Sequence, residues 1–453
     1  MPTLLWLRRD LRRRDLPALL AAHEASDGEV AVVFVVDPAL WEGAGPVRRA
    51  WLARSVQAAR EAYDGRLTVL HGAPIEVIPR VAAAIGASSV HVSRETTPAG
   101  ARRDKRVANA LQDNGIEWVE TGTPYAIGPG ILTTGAGTGY KVFTPFARAW
   151  REHGAPSPAP DVDATWLEMD DDRHAMKALE AAVAADDLPQ LPDAGEAAAW
   201  QRWTDFRDEA VETYPTDRDR ADRAGTSGLS PYLKVGAIHP RSILADLAGE
   251  HGDGAEKFVT ELAWREFYAD VLWRAPRSAW HDLTHSLDGM SYEQPGPLFE
   301  QWTQGRTGFP FVDAGMRQLL ATGWMHNRVR MVTASFLTKD LHIWWPHGAR
   351  YFLDRLIDGD VASNNHGWQW VAGTGTDASP YFRVFNPITQ GRKFDPDGDY
   401  VRRWIPELRH VPGAKVHEPW KHADGYAHGY PEPIVDHAEE RRIALDRYEA
   451  ARS

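Results

Sequence analysis

The residues of this chain best suited to chemistry lie close together. Asn364-Asn365-His366-Gly367-Trp368-Gln369-Trp370 sets two indoles two residues apart, beside three carboxamides and a glycine. The run continues to Thr374-Gly375-Thr376-Asp377, and Asp358-Gly359-Asp360 adds two carboxylates upstream. Few hydrophobic cores need that mixture. A site that holds a redox-active ring and stacks a nucleobase can use every part of it.

Three further segments carry candidates, each with a plainer reading. Thr226-Ser227-Gly228-Leu229-Ser230-Pro231 clusters hydroxyls around a glycine where a helix starts at Pro231. That suits a phosphate or diphosphate, but an ordinary helix cap explains it as well. Glu261, Trp264 and Arg265 share a helix face at three- and four-residue spacing. The face suits stacking and hydrogen-bonding a base, or an ion pair beside a core Trp. Asn327, Arg330 and Met331 fall on one side of another helix, and His326 next to them reads as structural. Asp358 and Asp360 have no third oxygen ligand nearby, so charge balance with Arg330 is preferred over a metal.

The elements that must position these groups fall into two regimes. At 453 residues, two domains are expected. Short apolar runs at Thr3–Leu7, 30–36, 67–70 and 89–93 alternate with helical stretches at Pro17–Ala25, 47–62, 75–85 and 101–114. That alternation predicts a Rossmann-like α/β domain over residues 1–130, a parallel sheet with helices on both faces. Arg8-Arg9-Asp10 follows the first strand where a nicotinamide-type fingerprint would need glycines. Residues 131–196 read as a connector, rich in Pro, Ala and Asp from 154 to 192. Helix-period patterns, including 258–273 and 315–336, dominate 197–453, which reads as an all-helical domain.

Composition removes several classes of function. The formal net charge of −12 argues against a generally basic DNA coat, though not against a local cationic groove. With no cysteine, disulfides, thiolate metal sites and cysteine nucleophiles are excluded. No apolar run approaches the roughly 18 residues of a membrane span. Met1 leads into a strand with no signal-peptide pattern, which points to the cytoplasm. Nine of the 19 tryptophans fall between Trp264 and Trp370, more than a helical core accounts for.

Taken together, the motifs resemble the photolyase/cryptochrome superfamily, most closely class I cyclobutane pyrimidine dimer DNA photolyases. The resemblance runs nearly end to end through Trp6-Leu7-Arg8-Arg9-Asp10-Leu11-Arg12, Gly323-Trp324-Met325-His326-Asn327-Arg328, the Asn-Asn-x-Gly-Trp-Gln-Trp block and Arg383-x-Phe385-Asn386-Pro387. It implies a deoxyribodipyrimidine photo-lyase: excited reduced FAD (FADH⁻) gives an electron to the dimer, the cyclobutane bonds break and the electron returns. Photolyases take their target out of the stack, which costs least for a damaged base. The partner implied is DNA containing pyrimidine dimers, and the protein is expected to be a monomer.

By the same resemblance, Tyr214, Thr226, Ser227, Gly228, Leu229, Ser230, Phe258, Arg330, Asp358, Gly359, Asp360 and Asn364 hold FAD, with Asn364 facing flavin N5. Glu261, Trp264, Trp370 and Met331 belong to the lesion site, where Glu261 hydrogen-bonds the pyrimidines and the indoles flank them. Arg218, Arg265, Asn327, Arg328 and Arg383 join them in the DNA groove. Trp368 and Trp345 match the inner members of an electron-transfer chain. Tyr292 stands where a third Trp is usual, so the terminal donor is Tyr292 or a substitute such as Trp302 or Trp344. The stretch 95–104 lacks the acid expected to grip a folate, whereas Phe34, Asp37, Pro38 and Arg48 look like a deazaflavin site. An 8-hydroxy-deazaflavin antenna is therefore expected, with methenyltetrahydrofolate the alternative. Two rivals are weighed: a cryptochrome photoreceptor, disfavoured by Asn364, and a (6-4) photolyase, disfavoured by Asn327.

Overall fold

The computed structural model describes residues 1–26, 28–250, 252–376 and 383–452. Asp377, the last residue of the motif run singled out above, lies outside them. The chain divides into two compact units. One comprises residues 1–211 and 227–276, the other 212–226 and 277–453.

The first unit is built on a parallel sheet. Its strands are β1 (Thr3–Leu7), β2 (Glu29–Val36), β3 (Leu67–His71), β4 (Ser89–Val92), β5 (Glu117–Glu120) and β6 (Thr165–Trp166). The order is β3-β2-β1-β4-β5, with β6 also beside β2. β1 is buried along its whole length, and its pairing sets Thr3 against Val30 and Leu7 against Phe34. Strands covered on both faces need apolar side chains at every position rather than at alternate ones. The crossovers are α1 (Pro17–Ala25), α2 (Pro46–Ala62), α3 (Pro74–Ala84) and α4 (Pro98–Gln112). Each starts on a proline, whose fixed φ and missing N–H suit the first helical turn. The expected α/β fold is therefore present. β5 escapes sequence reading because its four residues, Glu-Trp-Val-Glu, form a half-exposed edge strand.

After β3 the chain crosses to the other side of β1, so the strand order reverses between β1 and β4. Open sheets bind ligands at the carboxyl ends of strands flanking such a reversal. Here that crevice is packed with ion pairs. Arg8 and Arg103 each reach Asp104 at 2.7 Å, and Arg9 lies 3.5 Å from Glu95. Burial pushes the Glu95 carboxyl up, but Arg9, the Thr97 N–H, Arg8 and Arg103 outweigh it and hold it down to about 2. Both acids of the 95–104 stretch are thus committed to arginines.

The further helices of this unit include α5 (Phe143–His153), α6 (Glu196–Glu209) and α7 (Asp253–Arg274). Glu266 of α7 is 3 % exposed and accepts from the N–H groups of Ala126, Ile127 and Gly128 and from Trp150 Nε1. One carboxylate therefore satisfies four donors that burial would otherwise leave unpaired.

The second unit is helical around a core that includes Trp302, Phe311, Phe336 and Trp345. Its principal helices are α8 (Pro310–Thr322), α9 (Asn327–Ser335), α10 (Trp345–Arg355), α11 (Val361–Ala372) and α12 (Pro387–Phe394). The periodic stretch 315–336 is not one helix. Gly323 ends α8 in the left-handed region at φ 65, and His326 caps α9 by accepting from the Arg328 N–H at 3.2 Å. Apolar periodicity carries across the break because both helices face the same core. A five-residue π turn, Phe336–Asp340, continues α9.

Candidate active site

α11 explains why its sequence mixes amides with indoles. One face points Asn365, His366 and Gln369 inward, each fully buried. Asn365 donates to Ala279 O, Gln369 Nε2 donates to Ser278 O at 2.7 Å, and Gln369 Oε1 accepts from Leu283 N at 2.8 Å. His366 Nε2 meets Ser278 Oγ at 3.0 Å. Burial pushes this imidazole down to about 4, so it stays neutral. Half of the motif thus fastens segment 278–283 to the helix, a job the sequence does not reveal.

Other positions on and beside α11 hold the candidates for chemistry. Asn364 Nδ2 donates to Ala349 O at 3.1 Å and to Asn365 Oδ1 at 2.8 Å. Its amide nitrogen is committed, so its oxygen is the atom left to accept from a ring N–H. Asp360 caps the helix through Ser363 N at 3.1 Å. Arg330 Nη2 binds Asp358 Oδ2 at 2.8 Å while its Nε donates to Met325 O at 2.7 Å. The expected Arg330–Asp358 pair is present, with the carboxylate nearly buried and the guanidinium fixed at two points.

Trp370, on the third face, lines a cavity of about 380 Å³ with Met331, Arg328, Arg383, Phe385 and Lys393. Asp219 grips Arg328 with two bonds, at 2.8 and 3.1 Å. Arg328 also lies over the Phe394 ring at 5.5 Å and against Met331 Sδ at 3.7 Å. The structure therefore gathers four of the predicted lesion and groove residues on one wall. Asp219, Lys393 and Phe394 were not foreseen, because a single acid among arginines and a helix-end Lys-Phe pair carry no recognisable spacing. Asn327 is exposed at the start of α9, and Arg218 covers the buried Tyr214 ring at 5.5 Å. Among the neighbours of this wall, His326 is buried and pushed down to about 4 by desolvation, in keeping with a structural role.

The rings expected to form an electron-transfer chain also lie in this unit. Trp345 Nε1 donates to Asp282 Oδ1 at 2.6 Å, and Trp344 Nε1 reaches the same oxygen at 3.3 Å. The two rings are 6.3 Å apart, and Trp344 lies 6.5 Å from Tyr292. Trp302 sits edge-on to Trp368 at 6.2 Å, but it is fully buried and its N–H is bonded to Thr333 O.

The candidates of the first unit are arranged as follows. Trp264 stacks on Phe143 at 3.6 Å and 8°, which occupies one face of the indole. Glu261 lies 4.0 Å from Lys257. Arg265 donates to Pro124 O and Leu233 O and covers the Tyr125 ring at 4.5 Å. Phe258 is buried against Trp203 and Phe206. Around Gly228, at φ 64, Ser227 O accepts from Arg202 at 2.7 Å and Ser227 Oγ from Leu229 N at 3.3 Å. Asp37 caps a one-turn helix after β2 through Ala39 N, and Arg48 stands in α2.

Comparison with known proteins bears on the family and the fold. Residues 3–163 match the family model described as DNA photolyase, and 258–450 match the FAD binding domain of DNA photolyase. A deoxyribodipyrimidine photo-lyase of Vibrio cholerae is 38 % identical over 99 % of this chain and 99 % of its own. The crystal structure of a class III photolyase from Agrobacterium tumefaciens superposes with a TM-score of 0.89 at 36 % identity, over 99 % of this chain and 97 % of that one. An archaeal photolyase from Sulfolobus tokodaii, solved with two FAD molecules, gives 0.87 at 29 % identity over 99 % and 100 %. A chain described as class III, where class I was the expected likeness, thus follows this one almost end to end.

Proposed function

Because the chain belongs to the DNA photolyase family, we propose that it repairs cyclobutane pyrimidine dimers in DNA under light, as a deoxyribodipyrimidine photo-lyase. The observation that carries the reading is the cavity of the second unit, with an indole, a thioether and two arginines on its wall. Its size and lining suit a flipped-out pyrimidine dimer stacked on Trp370 and held by phosphate contacts.

The residues present fit a flavin. Asn364 keeps an oxygen for a ring N–H, and the fixed Arg330–Asp358 pair supplies a positive charge beside a carboxylate. When bound in reduced form, FAD supplies the light-driven electron that splits the dimer and recovers it afterwards. In this reading Arg330 balances negative charge near the ring, and Tyr214, Gly359 and Asp360 complete the hold within the second unit. Residues 226–230 and Phe258 are proposed to serve the diphosphate and the pocket lining. Trp370 stacks the extruded base, and Met331 excludes water beside it. Arg328, steered by Asp219, and Arg383 draw phosphates to the rim without reading sequence. Glu261, Trp264, Arg265, Asn327 and Arg218 keep the roles that the resemblance gives them.

For reduction of the resting flavin, the ring spacings favour an outward order Trp345, Trp344, Tyr292. Trp344 is the added stepping stone, and buried Trp302 is poorly placed to end at solvent. For the antenna, the occupied 95–104 crevice supports a deazaflavin-type chromophore near Asp37 and Arg48 over a folate. Among the described residues no helix is long and apolar enough to cross a membrane. The test is direct: flavin-loaded, reduced protein mixed with thymine-dimer DNA should restore thymines in blue light and not in the dark. Equal dimer counts in both would end the reading.

A further inference from the structure

Lys339 has no part in the reading above, yet it is one of the largest fully buried side chains, 2 % exposed. It sits in the π turn that continues α9. Such turns are rare and gather at functional sites. An ammonium removed from water is costly unless it is hydrogen-bonded. Its Nζ donates to the main-chain oxygen of Arg383. One turn earlier, Ser335 Oγ accepts from Phe385 N at 3.2 Å. The two bonds fasten the non-helical stretch 383–386 to the end of α9. That stretch brings Arg383, Val384, Phe385 and Asn386 to the cavity wall.

We propose that Lys339 is a positioning residue that clamps 383–386 in place as one wall of the cavity, so that lesion recognition depends on it although it never touches DNA. The proposal rests on the cavity being the lesion site. Among the described residues, the charged groups that act on Lys339 include Asp340 on its own turn and Arg383 on the clamped stretch. Asp340 is itself bonded to His437 Nδ1 of the C-terminal helix His437–Arg452 at 2.5 Å. Burial lowers the ammonium first, Asp340 raises it, Arg383 lowers it again, and it ends at about 7. The charged donor, stronger than the neutral amine, is therefore lost as pH rises through that value.

The experiment compares equilibrium binding of thymine-dimer and intact oligonucleotides to flavin-loaded protein at mildly acidic and alkaline pH. Lys339→Met should cut the ratio of the two affinities by about tenfold (~1.4 kcal/mol) at acidic pH and flatten its pH dependence. Lys339→Arg, which stays charged, should keep the ratio at alkaline pH. Ser335→Ala should cost about threefold. A folded, flavin-loaded Lys339→Met protein within twofold of the parent ratio would overturn the clamp. If that variant does not fold, an unchanged ratio in Ser335→Ala overturns it instead. A parent protein with no preference for the dimer at all would sink the lesion-site reading itself, a result distinct from either variant's.

Discussion

Replacing Trp370 by alanine separates stacking from charge in this cavity. The side chain is half-buried, lines the 380 Å³ cavity and packs against the second unit's core. Stacking on an aromatic is worth about 1–3 kcal/mol per base, which corresponds to about 5- to 150-fold in affinity. Only an extruded base can use that surface, so intact DNA, held through phosphates, should lose less than about twofold. Truncation also removes apolar contact from the core, at about 1–3 kcal/mol for a partly exposed ring. Thermal melting and flavin absorbance must therefore confirm a folded, loaded variant, and Trp370→Phe should recover much of the loss. The assay is fluorescence anisotropy with labelled single strands, one carrying a thymine dimer and one intact. Equal weakening on both would refute the stacking argument, because it would make Trp370 a general contact or a purely structural one.

Other consequences are open to test. Trp345→Phe should abolish, and Tyr292→Phe slow, the blue-light bleaching of oxidised flavin with a thiol donor, while chemically reduced protein repairs normally; unaltered bleaching in Trp345→Phe would remove that ring from the path. Gly348 faces the Trp368 ring so closely that an added Cβ would collide with it. Gly348→Ala should therefore cost about 1–3 kcal/mol, read as a lowered Tm. His91, His326, His366 and His417 are each pushed down to about 4 by burial, so they are neutral in the fold. Their stabilisation is complete above about 6.5 and is lost as pH falls through 4. Asp340 and Asp395, raised to about 6 by burial, act in the opposite sense, with Glu266, Asp282 and Asp313, but His239, His342 and His347 are lowered as well, so the histidines outnumber the acids. Denaturant midpoints should fall from neutral pH toward pH of about 4; a midpoint that rises would contradict the assignment.

What the sequence discloses follows from the range of the interactions. The parallel sheet is legible because strands buried on both faces must be apolar throughout, as β1 is. β5 is not, since an edge strand of four residues with charged ends has no such requirement. The Arg330–Asp358 pair is anticipated by charge balance and found at 2.8 Å. Asp219, 109 positions from Arg328, and Lys339, 44 from Arg383, are beyond any local pattern. The buried amides of α11 mislead in an instructive way. Asn365 and Gln369 resemble ligand-binding groups, yet both satisfy the backbone of 278–283, where an unpaired polar group would cost about 1–3 kcal/mol. The run 315–336 misleads through periodicity, because two helices facing one core keep the same rhythm across Gly323.

The most direct measurement is made in the dark. A duplex carries 2-aminopurine opposite a thymine dimer, and its emission is followed as flavin-loaded protein is added. Extrusion of the lesion toward Trp370 leaves the probe unpaired, so emission should rise with the damaged duplex and stay flat with an intact one. Tight binding of the damaged duplex with no rise in emission would contradict the account, because the lesion would then be recognised without leaving the helix.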